Sequence, residues 1–480
     1  MREKEDREGG VALPMTLFAL VLFSVLGLFM SLDAVTGVRI SDNFESHAKA
    51  TYAALAGLDH AAALLGGLDI DAVLRGPDGA WDGSPASVAA ARTARARMPL
   101  PPLTAQALDL AAPETATAAL PDDGVLSTGA FAGAAGLPLI PVSGLPLSAA
   151  GAEPERVLGR YFVKVTDNNG NPSELGADPG DDPFTDGDGI VIVRSLGVAR
   201  TFTEFTGALV RRNSVAVFET RLRRERLWDP GPALTVIGSA VDALFAGDPV
   251  IEGLGAPGIG AVDTDAGDGV DPAHLLRTAA GAAGTVAGGG LETPSVGDIT
   301  ASIASDRDRG RLLDPRALED FIQVRAPRMA DLVLDGPQTW SGGAAPDLGV
   351  YNSAEPWNAP GQAPRITLVR GDLSAPEGLS GGGILVVTGA LDCSGPIAWA
   401  GLVLVLGEGR VDLSGPGSGI EGGFIVANLT PTAAGVVFGT PWVAIGGKTR
   451  IAAHPAAVRM ALSLFPLTRV GFREITTADP

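Results

Sequence analysis

Three aspartates recur at equal spacing in the C-terminal part of the chain. They open the related segments Asp372-Leu-Ser-Ala, Asp392-Cys-Ser-Gly and Asp412-Leu-Ser-Gly, with a period of 20 residues. Short apolar runs and glycine turns at such a period are typical of coils stacked as a solenoid. Stacked coils bring equivalent residues to within about 4.8 Å of each other, so the sequence predicts a ladder of carboxylates.

A carboxylate ladder allows three kinds of chemistry. The side chains can cap turns, they can hold a cation, or they can act as general acid and base on a polysaccharide. An enzyme for an acidic polysaccharide would need basic groups nearby, and only Arg370 and Arg410 lie beside the ladder. We therefore favour structural turns and predict no catalytic residue, while metal binding and catalysis remain open alternatives.

A second acidic segment, DNNGNPSELGADPGDDPFTDGDG, follows a predicted strand. Its carboxylates suit Ca²⁺, which prefers hard oxygen ligands; they are Asp167, Asp178, Asp181, Asp182, Asp186 and Asp188. An EF-hand is excluded because Pro172 stands where that loop requires glycine. A solvated turn is the favoured interpretation and calcium the alternative, and the same choice applies more weakly to Asp263, Asp265 and Asp268.

Other catalytic patterns are missing from the sequence. The Gly-Gly-Lys-Thr at 446–449 lacks the earlier glycine of a phosphate-binding loop, because Trp442 occupies that position. No zinc motif can be assembled from the four scattered histidines, which are His47, His60, His274 and His454. The single cysteine, Cys393, cannot form an intrachain disulfide; we expect a buried apolar residue, with a reactive or intermolecular thiol as the alternative. We predict no enzyme and no cofactor.

Composition favours strands and turns over long soluble helices. The 480 residues include 65 Gly and 36 Pro, and 46% are hydrophobic while only 19% are charged. Such a chain can bury large cores and should be mainly β. Its formal net charge of -20 excludes nucleic acid as a favoured partner, because binding to phosphate backbones needs clustered Lys and Arg.

One segment near the N-terminus is long and apolar enough to cross a membrane. Residues 11–32 contain no charge, and at about 1.5 Å per residue they span a hydrocarbon core of about 30 Å. A cleaved secretory signal fits less well because the preceding residues mix acids and bases. The predicted anchor residues are Val11, Leu17, Phe18, Leu22, Phe23, Leu26, Phe29 and Leu32.

The predicted helix continues beyond this span as an amphipathic rod. Apolar residues recur at helical spacing at Phe44, Ala48, Tyr52, Leu55, Leu58, Ala62 and Leu65. Charged residues lie between them, at Asp42, Glu45, Lys49 and Asp59. The pair Gly66-Gly67 should end the helix.

This N-terminal region resembles the minor pilins of type IV pili that have a PilX-type N-terminus. The resemblance covers a charged leader, Gly10, Val-Ala-Leu, an apolar helix, and the segment from Ala54 to Ala61, Ala-Leu-Ala-Gly-Leu-Asp-His-Ala. It extends more weakly to Ser195-Leu-Gly and to Gly381–Val387.

The resemblance implies processing and partners. A prepilin peptidase would cut between Gly10 and Val11, and the chain would enter the inner membrane with a single span. From there it would pass to a pilus or the cell surface and contact other pilins through its helix. Major pilins carry glutamate where this chain has Met15, which implies a tip or priming subunit.

The predicted fold is mainly β with a long N-terminal α-helix: a pilin-like transmembrane helix, a small β-domain and a C-terminal β-solenoid-like region. Predicted strands cover 160–166, 189–195 and about 207–222, and a helical stretch covers 315–334. The predicted regions are a leader (1–10), the helix (11–68), an Ala/Pro-rich irregular segment (69–150), the β-domain with its acidic loop (155–228), a Gly/Asp-rich connection (233–335), period-20 repeats (355–430) and a closing segment (431–480).

The sequence therefore predicts a non-enzymatic pilin-like subunit that displays a β-rich ectodomain, with a possible part in adhesion. The alternative is a membrane-anchored surface solenoid that acts on polysaccharide as an enzyme or lectin.

Overall fold

The fold is known from a computed structural model. It describes residues 12–66, 68, 70–76, 123–126, 137–148, 157–168, 186, 189–205, 208–225, 227–229, 231–265, 267–281, 285–288, 295–306, 308–341, 346–352, 361–415 and 419–475. Most of the Ala/Pro-rich segment predicted at 69–150 lies outside these residues. The described part is mostly β, with one long N-terminal apolar helix.

The helices are few and, apart from the first, short. They are α1 (Ala12–Leu65), α2 (Ile70–Arg75), α3 (Pro272–Ala280), α4 (Thr300–Ser305), α5 (Pro315–Asp320), α6 (Ala326–Met329) and α7 (Pro455–Ser463). A 3-10 helix covers Arg309–Leu313 and a π-helical turn covers Phe321–Arg325. The helical stretch predicted at 315–334 is thus confirmed up to Met329, after which the chain becomes a strand.

Strands dominate the rest of the described chain. They are β1 (Leu145–Ser148), β2 (Val157–Asp167), β3 (Ile190–Phe205), β4 (Ala208–Arg223), β5 (Leu234–Gly238), β6 (Asp242–Phe245), β7 (Val250–Glu252), β8 (Ile259–Asp263), β9 (Thr285–Ala287), β10 (Val296–Asp298), β11 (Leu332–Asp335), β12 (Gln338–Thr339), β13 (Gly349–Val350), β14 (Ala363–Arg370), β15 (Leu373–Ser374), β16 (Leu379–Val387), β17 (Ala390–Cys393), β18 (Ile397–Gly407), β19 (Arg410–Leu413), β20 (Gly419–Thr432), β21 (Gly435–Phe438), β22 (Trp442–Ile445), β23 (Arg450–Ala453) and β24 (Thr468–Glu474).

An antiparallel sheet of five strands receives the C-terminal half of α1. Its order is β1-β2-β3-β4-β24, so the last strand of the chain completes a sheet that begins more than 300 residues earlier. The three strands predicted at 160–166, 189–195 and about 207–222 are confirmed as β2, β3 and β4, although β2 and β3 are longer than predicted. Alternate residues such as Val163 and Val193 pack on the α1 side of the sheet. Phe162, Leu196, Val198 and Val217 form a second, smaller core on its other face.

The chain between β4 and β24 forms two sheets whose neighbouring strands are largely parallel. The larger sheet runs β10-β8-β5-β20-β18-β16-β14-β11, and a six-stranded sheet runs β12-β15-β17-β19-β22-β6. From β14 to β20 the chain alternates between the two sheets, adding one strand to each in turn. Apolar side chains such as Leu385, Val403, Leu391 and Val411 meet between the sheets.

The order of strands shows that the chain builds this stack from the middle outwards. Strands β5, β8 and β10 lead from the middle to one end, and α4 to α6 then lie between β10 and β11, the strand at the opposite end. Strands β14 to β20 return to the middle, where β20 pairs with β5. The Gly/Asp-rich connection predicted at 233–335 therefore contributes strands to the same sheet as the predicted repeats.

A uniform period of 20 is wrong for the stack. Ile366, Ile384 and Leu402 are aligned, which is a step of 18 residues. In the six-stranded sheet Leu391 pairs with Val411 and Val411 pairs with Val443, steps of 20 and 32. The last step is long because the β20–β21 hairpin is inserted there.

The two parallel sheets differ in what covers them. The outer face of the larger sheet packs against α4 to α7, and Trp228, Phe321 and Phe465 meet over it. The six-stranded sheet alternates between buried and solvent-accessible residues in β17 and β19. One of its faces therefore looks to solvent, which explains why its strands carry the aspartates.

A glycine in β3 controls how closely α1 can approach the antiparallel sheet. A Cβ on Gly197 would overlap the carbonyl oxygen of Ala50 and crowd the amide of Ala54. We expect Gly197→Ala to push α1 off the sheet and to cost about 1–3 kcal/mol, as overpacked cores do. Hydrogen exchange of the α1 amides 46–65 should then be faster than in the wild type.

A matched control for this prediction lies in the same sheet. A Cβ on Gly471 would meet only the Arg221 side chain, at 3.6–3.8 Å. Gly471→Ala should leave exchange in α1 unchanged. Equal exchange rates in Gly197→Ala and the wild type would contradict the close approach.

Candidate functional site: an exposed apolar helix and its socket

The first half of α1 extends away from the rest of the described fold. The helix has 54 residues, a length of about 80 Å at 1.5 Å per residue. Its predicted anchor residues from Leu17 to Leu32 are between 48% and 71% exposed. Val11 and the predicted processing residue Gly10 lie outside the described residues. The described part of the chain therefore leaves these anchor side chains uncovered.

Polar groups in this segment are satisfied within the helix itself. The hydroxyls of Thr16 and Ser24 donate to the carbonyl oxygens of Leu13 and Leu20, at 2.9 and 2.8 Å. Thr36 donates likewise to Leu32 at 2.8 Å. Such bonds remove the need for water, which suits a helix in an apolar environment. The first charged residue after Ala12 is Asp33.

Within the described residues, α1 is the one helix that is long and apolar enough to cross a membrane, by length and composition. None of its most apolar window is buried against the protein. A core helix would be covered by other elements, so this helix is consistent with single-pass membrane anchoring.

Small residues form the face of α1 that enters the sheet. Ala50, Ala53, Ala54 and Ala61 are completely buried, and Gly57 packs beside Ser195 and Tyr161. Because these side chains are small, the helix backbone comes close to β3 and the adjoining strand β2. We name this contact, between α1 46–65 and strands β2 to β4, the socket.

The amphipathic rod is confirmed, but the predicted apolar face is wrong for its first two turns. Phe44 and Tyr52 are 72% and 68% exposed, and Ala48 is exposed as well. Of the predicted set only Leu58 and Leu65 are fully buried. The socket contains alanine and glycine because its strands lie close to the helix backbone and leave no room for larger side chains. A periodic pattern of large apolar residues cannot predict such a contact.

A part-buried hydrogen bond joins the two sides of the socket. Nδ1 of His60 and the hydroxyl of Tyr161 share a hydrogen bond of 2.8 Å. Burial lowers the pKa of His60, although a backbone hydrogen bond with Pro138 opposes this effect, and burial raises the pKa of Tyr161. The histidine is therefore held neutral where α1 crosses β2.

The C-terminus of α1 is capped by a side chain from the connection after β4. Nη2 of Arg224 donates to the carbonyl oxygens of Leu65 and Leu68, at 2.8 and 3.0 Å. The Leu65 carbonyl also accepts from the amide of Leu68 at 3.2 Å, so the guanidinium adds a second donor at the helix end. The flanking Arg223 binds Asp308, and Glu225 accepts from Arg311 and Arg325. Three consecutive residues thus join the helix, the antiparallel sheet and the parallel stack.

A buried carboxylate attaches the last strand of the chain. Glu219 of β4 lies opposite Arg194 of β3 and Arg473 of β24, and accepts hydrogen bonds from their Nε atoms at 2.6 and 3.0 Å. Burial alone would raise the pKa of Glu219, but the two guanidinium groups together hold it below its usual value. Sequence reasoning missed Glu219 and Arg224. The available signals were a carboxylate within the apolar strand β4 and the charged run Arg223-Arg-Glu-Arg226 that follows it.

The structure brings together two of the three predicted ladder aspartates. Asp392 and Asp412 are direct neighbours on β17 and β19. Asp392 faces Ser374 on its other side, because the first step is 18 residues and not 20. Asp372 instead accepts a hydrogen bond from the amide of Ala390 at 2.8 Å, which is the capping role expected of a turn residue. A ladder of three is therefore wrong.

Of the other acidic candidates that the structure describes, Asp167 is buried at the end of β2, and the rest accept from backbone amides. Asp263, Asp265 and Asp268 accept from the amides of residues 265, 267 and 270. In the acidic loop, Asp186 accepts from Gly189, while Asp178, Asp181, Asp182 and Asp188 lie outside the described residues. Within the described part of the chain, no group of three or more His, Cys, Asp or Glu is arranged to hold a metal ion.

The remaining single residues are placed as packing or capping groups. His454 accepts from the amide of Ala457 and caps α7. Cys393 is completely buried between the two parallel sheets, and burial raises the pKa of its thiol to about 11. The expectation of a buried apolar cysteine is confirmed. Gly446–Thr449 forms the turn that leads into β23.

A cleft of about 550 Å³ separates the two parts of the fold beside the Arg224 junction. Asp71, Asp229, His454 and Arg459 line it, together with apolar residues of α2 and α7. Acids and bases are mixed among the described residues that line it.

No protein-family model, curated protein or solved structure matches this chain. Its function must therefore be inferred from the exposed helix, the socket and the position of the parallel stack.

The His60 contact predicts a dependence of stability on pH. The folded pKa lies below the unfolded value of about 6.5, so the unfolded chain binds the proton more readily. The contribution is complete above the unfolded pKa and is lost as the pH falls through the folded pKa. Urea unfolding of the detergent-solubilised chain should show less loss of stability between pH 7.5 and 5.5 in His60→Gln than in the wild type; equal losses would contradict this.

The anchor predicts a charge-sensitive attachment to membranes. A carboxylate at the centre of a spanning helix costs about 2.5–3.5 kcal/mol on insertion scales. The double variant Leu22→Asp, Leu26→Asp should therefore move from the alkali-washed membrane pellet to the soluble fraction. The control Val38→Asp, Phe44→Asp changes two exposed apolar residues of the same helix outside the charge-free run and should stay in the pellet. Retention of the first variant would contradict a spanning role.

Proposed function

We propose that this protein is a pilin-like subunit of a type IV pilus or a related fibre, anchored in the inner membrane before assembly. The observation that carries the proposal is the division of α1. Its first half is exposed and apolar on all sides, while its second half packs against the antiparallel sheet through the socket. The free half can enter a bilayer or a bundle of similar helices, and the socket fixes it to the rest of the chain.

The position of the parallel stack supports a display role. The stack lies between β4 and β24, so both of its ends return to the antiparallel sheet beside the helix. We interpret the two parallel sheets as solenoid-like coils that the helix carries to the surface of a fibre. Met15 in place of an acid favours a tip or priming position, and other pilins are the proposed partners of the helix.

The polysaccharide alternative has less support. A row of catalytic carboxylates on adjacent coils would need more than the aligned pair Asp392 and Asp412, and Asp372 is used at a turn. Trp442, near this face, is covered by the guanidinium of Arg410, which lies 4.5 Å from its ring. Adhesion remains a proposed property of the displayed stack.

The proposal predicts a cut after Gly10. In cells that have a prepilin peptidase, the mature wild type should be lighter than the full sequence by the mass of residues 1–10. Gly10→Arg should keep the full mass and accumulate in the membrane fraction. Intact-mass spectrometry of the membrane fraction measures both. A wild-type chain that retains residues 1–10, and so differs from Gly10→Arg only by the mass of the substitution, would refute the prepilin assignment while leaving membrane anchoring intact.

A further inference from the structure

α1 has a second apolar face, on the side opposite the socket. Nine residues make about two and a half turns of an α-helix, so positions nine apart point in opposite directions. The buried socket residues on one side include Ala50, Ala53, Gly57, Ala61 and Leu64. The residues nine positions before them, which we call the outer stripe, are Ser41, Phe44, Ala48, Tyr52 and Leu55.

Large side chains of the outer stripe are left in solvent. Phe44 and Tyr52 are 72% and 68% exposed, and Ala48 between them is exposed as well. A single exposed apolar residue is ordinary on a protein surface. A row of them at helical spacing, with two aromatic rings on one face, is instead the pattern of a helix that packs on two sides. The socket covers one side of this part of α1 and leaves the other open.

Lipid does not reach the two aromatic residues. With Leu32 at the boundary of the hydrocarbon core, Phe44 and Tyr52 lie 12 and 20 residues beyond it, or about 18 and 30 Å along the helix. The headgroup layer adds about 5–8 Å to the core on each side. Even a helix tilted by about 40° holds Phe44 about 14 Å beyond the boundary. The partner of the outer stripe is therefore a protein.

The spacing of the outer stripe fits a parallel helix. Its residues follow one another at steps of three and four, as in the seam of a helix pair. Phe44 lies between the small residues Ser41 and Ala48 on its own helix. In a parallel pair the same two residues of the other helix border the hole that receives Phe44, and small residues leave room for its ring. A helix with this same stripe therefore fits the stripe.

A second copy of the chain presents such a helix in the required orientation. Both copies are anchored by the same span, so their helices run parallel and leave the membrane at the same height. The socket lies on the opposite face of α1, so the two antiparallel sheets stand on the outside of the pair. Anchoring in one bilayer also raises the effective concentration of each chain for the other.

Charge does not oppose this pairing. The charged residues nearest the outer stripe, Glu45 and Lys49, lie on one flank of it and form an ion pair within α1. The other flank carries Ile40, His47 and Thr51. A twofold pair brings each flank against the opposite flank of the other copy, so like charges do not meet. The net charge of -20 acts at longer range, and salt screens it beyond about 8 Å at physiological ionic strength.

We propose that the outer stripe is a self-association surface, on which α1 of a second copy of this chain packs in parallel while both copies are anchored in the membrane. The proposal rests on the anchoring that the proposed function includes, and it adds the contact residues and the partner. The pair buries the exposed rings of Phe44 and Tyr52 and carries two stacks outwards.

The test uses the purified full chain in phospholipid vesicles that contain no other protein. The probe is a disulfide between two copies of Phe44→Cys, formed by oxidation with copper phenanthroline and measured as dimer on a non-reducing gel. The matched control is Asn43→Cys, at an exposed residue seven positions, and so about 20° around the helix, from Ala50 of the socket. Cys393 is completely buried, and the wild-type chain gives its background.

We expect Phe44→Cys to form at least about fivefold more dimer than Asn43→Cys, because a disulfide needs Cα atoms within about 7 Å of each other. Adding Tyr52→Arg should lower the dimer about tenfold or more, since two like charges would meet in a desolvated contact. Adding Asn43→Arg should leave it unchanged. Both residues are exposed in the single chain, so neither change disturbs folding. Equal dimer from Phe44→Cys and Asn43→Cys would overturn the pairing.

Further outcomes separate this inference from the proposed function. If the chain floats with the vesicles but Phe44→Cys gives no more dimer than the wild type, the pairing is overturned and anchoring stands. If the chain does not float, α1 is not anchored and both proposals fail. If Phe44→Cys oxidised in cells joins only a protein of different mass, the second copy is overturned as the partner. Dimers formed in cells by a chain that keeps residues 1–10 would remove the prepilin assignment and support the pairing.

Discussion

The rest of the structure depends on the backbone-to-backbone approach of α1 and β3. Gly57 and Gly197 lack side chains where helix and strand meet, so a Cβ at either position would overlap the opposite element. Alanines complete the contact, and they bury little area for each residue. A face of alanine and glycine buries less side-chain area than a face of leucine would. The close approach of the two backbones compensates with dispersion contacts along the whole socket. The contact is therefore sensitive to single methyl groups, unlike a core built from leucine.

The position of α1 in turn determines where the parallel stack can stand. The chain leaves β4 through three consecutive charged residues. Arg223 and Glu225 bind side chains beside the stack, and Arg224 between them binds the end of α1. It returns through β24, which Glu219 holds in register through Arg473. A domain tied at two adjacent points has less freedom to swing than one tied by a single linker. Force or motion transmitted along α1 would therefore reach the stack through the socket.

Sequence patterns predicted most of the elements and fewer of their contacts. The length of α1, its end at Gly66 and the strands β2 to β4 follow from periodicity and turn residues, which act locally. Periodicity does not predict the buried face of α1, because Phe44 and Tyr52 have helical spacing but are exposed. The strands between β5 and β10 were missed because each is three to five residues long, too short for a period to emerge. Asp372 does not align with Asp392 because the turns between the strands differ in length. The first step is 18 residues and the second is 20, so a single period cannot predict both.

The bare half of α1 limits what the protein can be. A helix that is apolar on all sides is stable only where every side meets an apolar environment. Gly27 and Gly37 also lie in this part of the helix, and a Cβ on either would meet nothing within 4 Å. Glycine weakens an isolated helix in water by about 1 kcal/mol relative to alanine, yet small residues let neighbouring helices approach closely in an apolar environment. Among the described residues nothing packs against these glycines, which is consistent with a lipid environment around this half of α1.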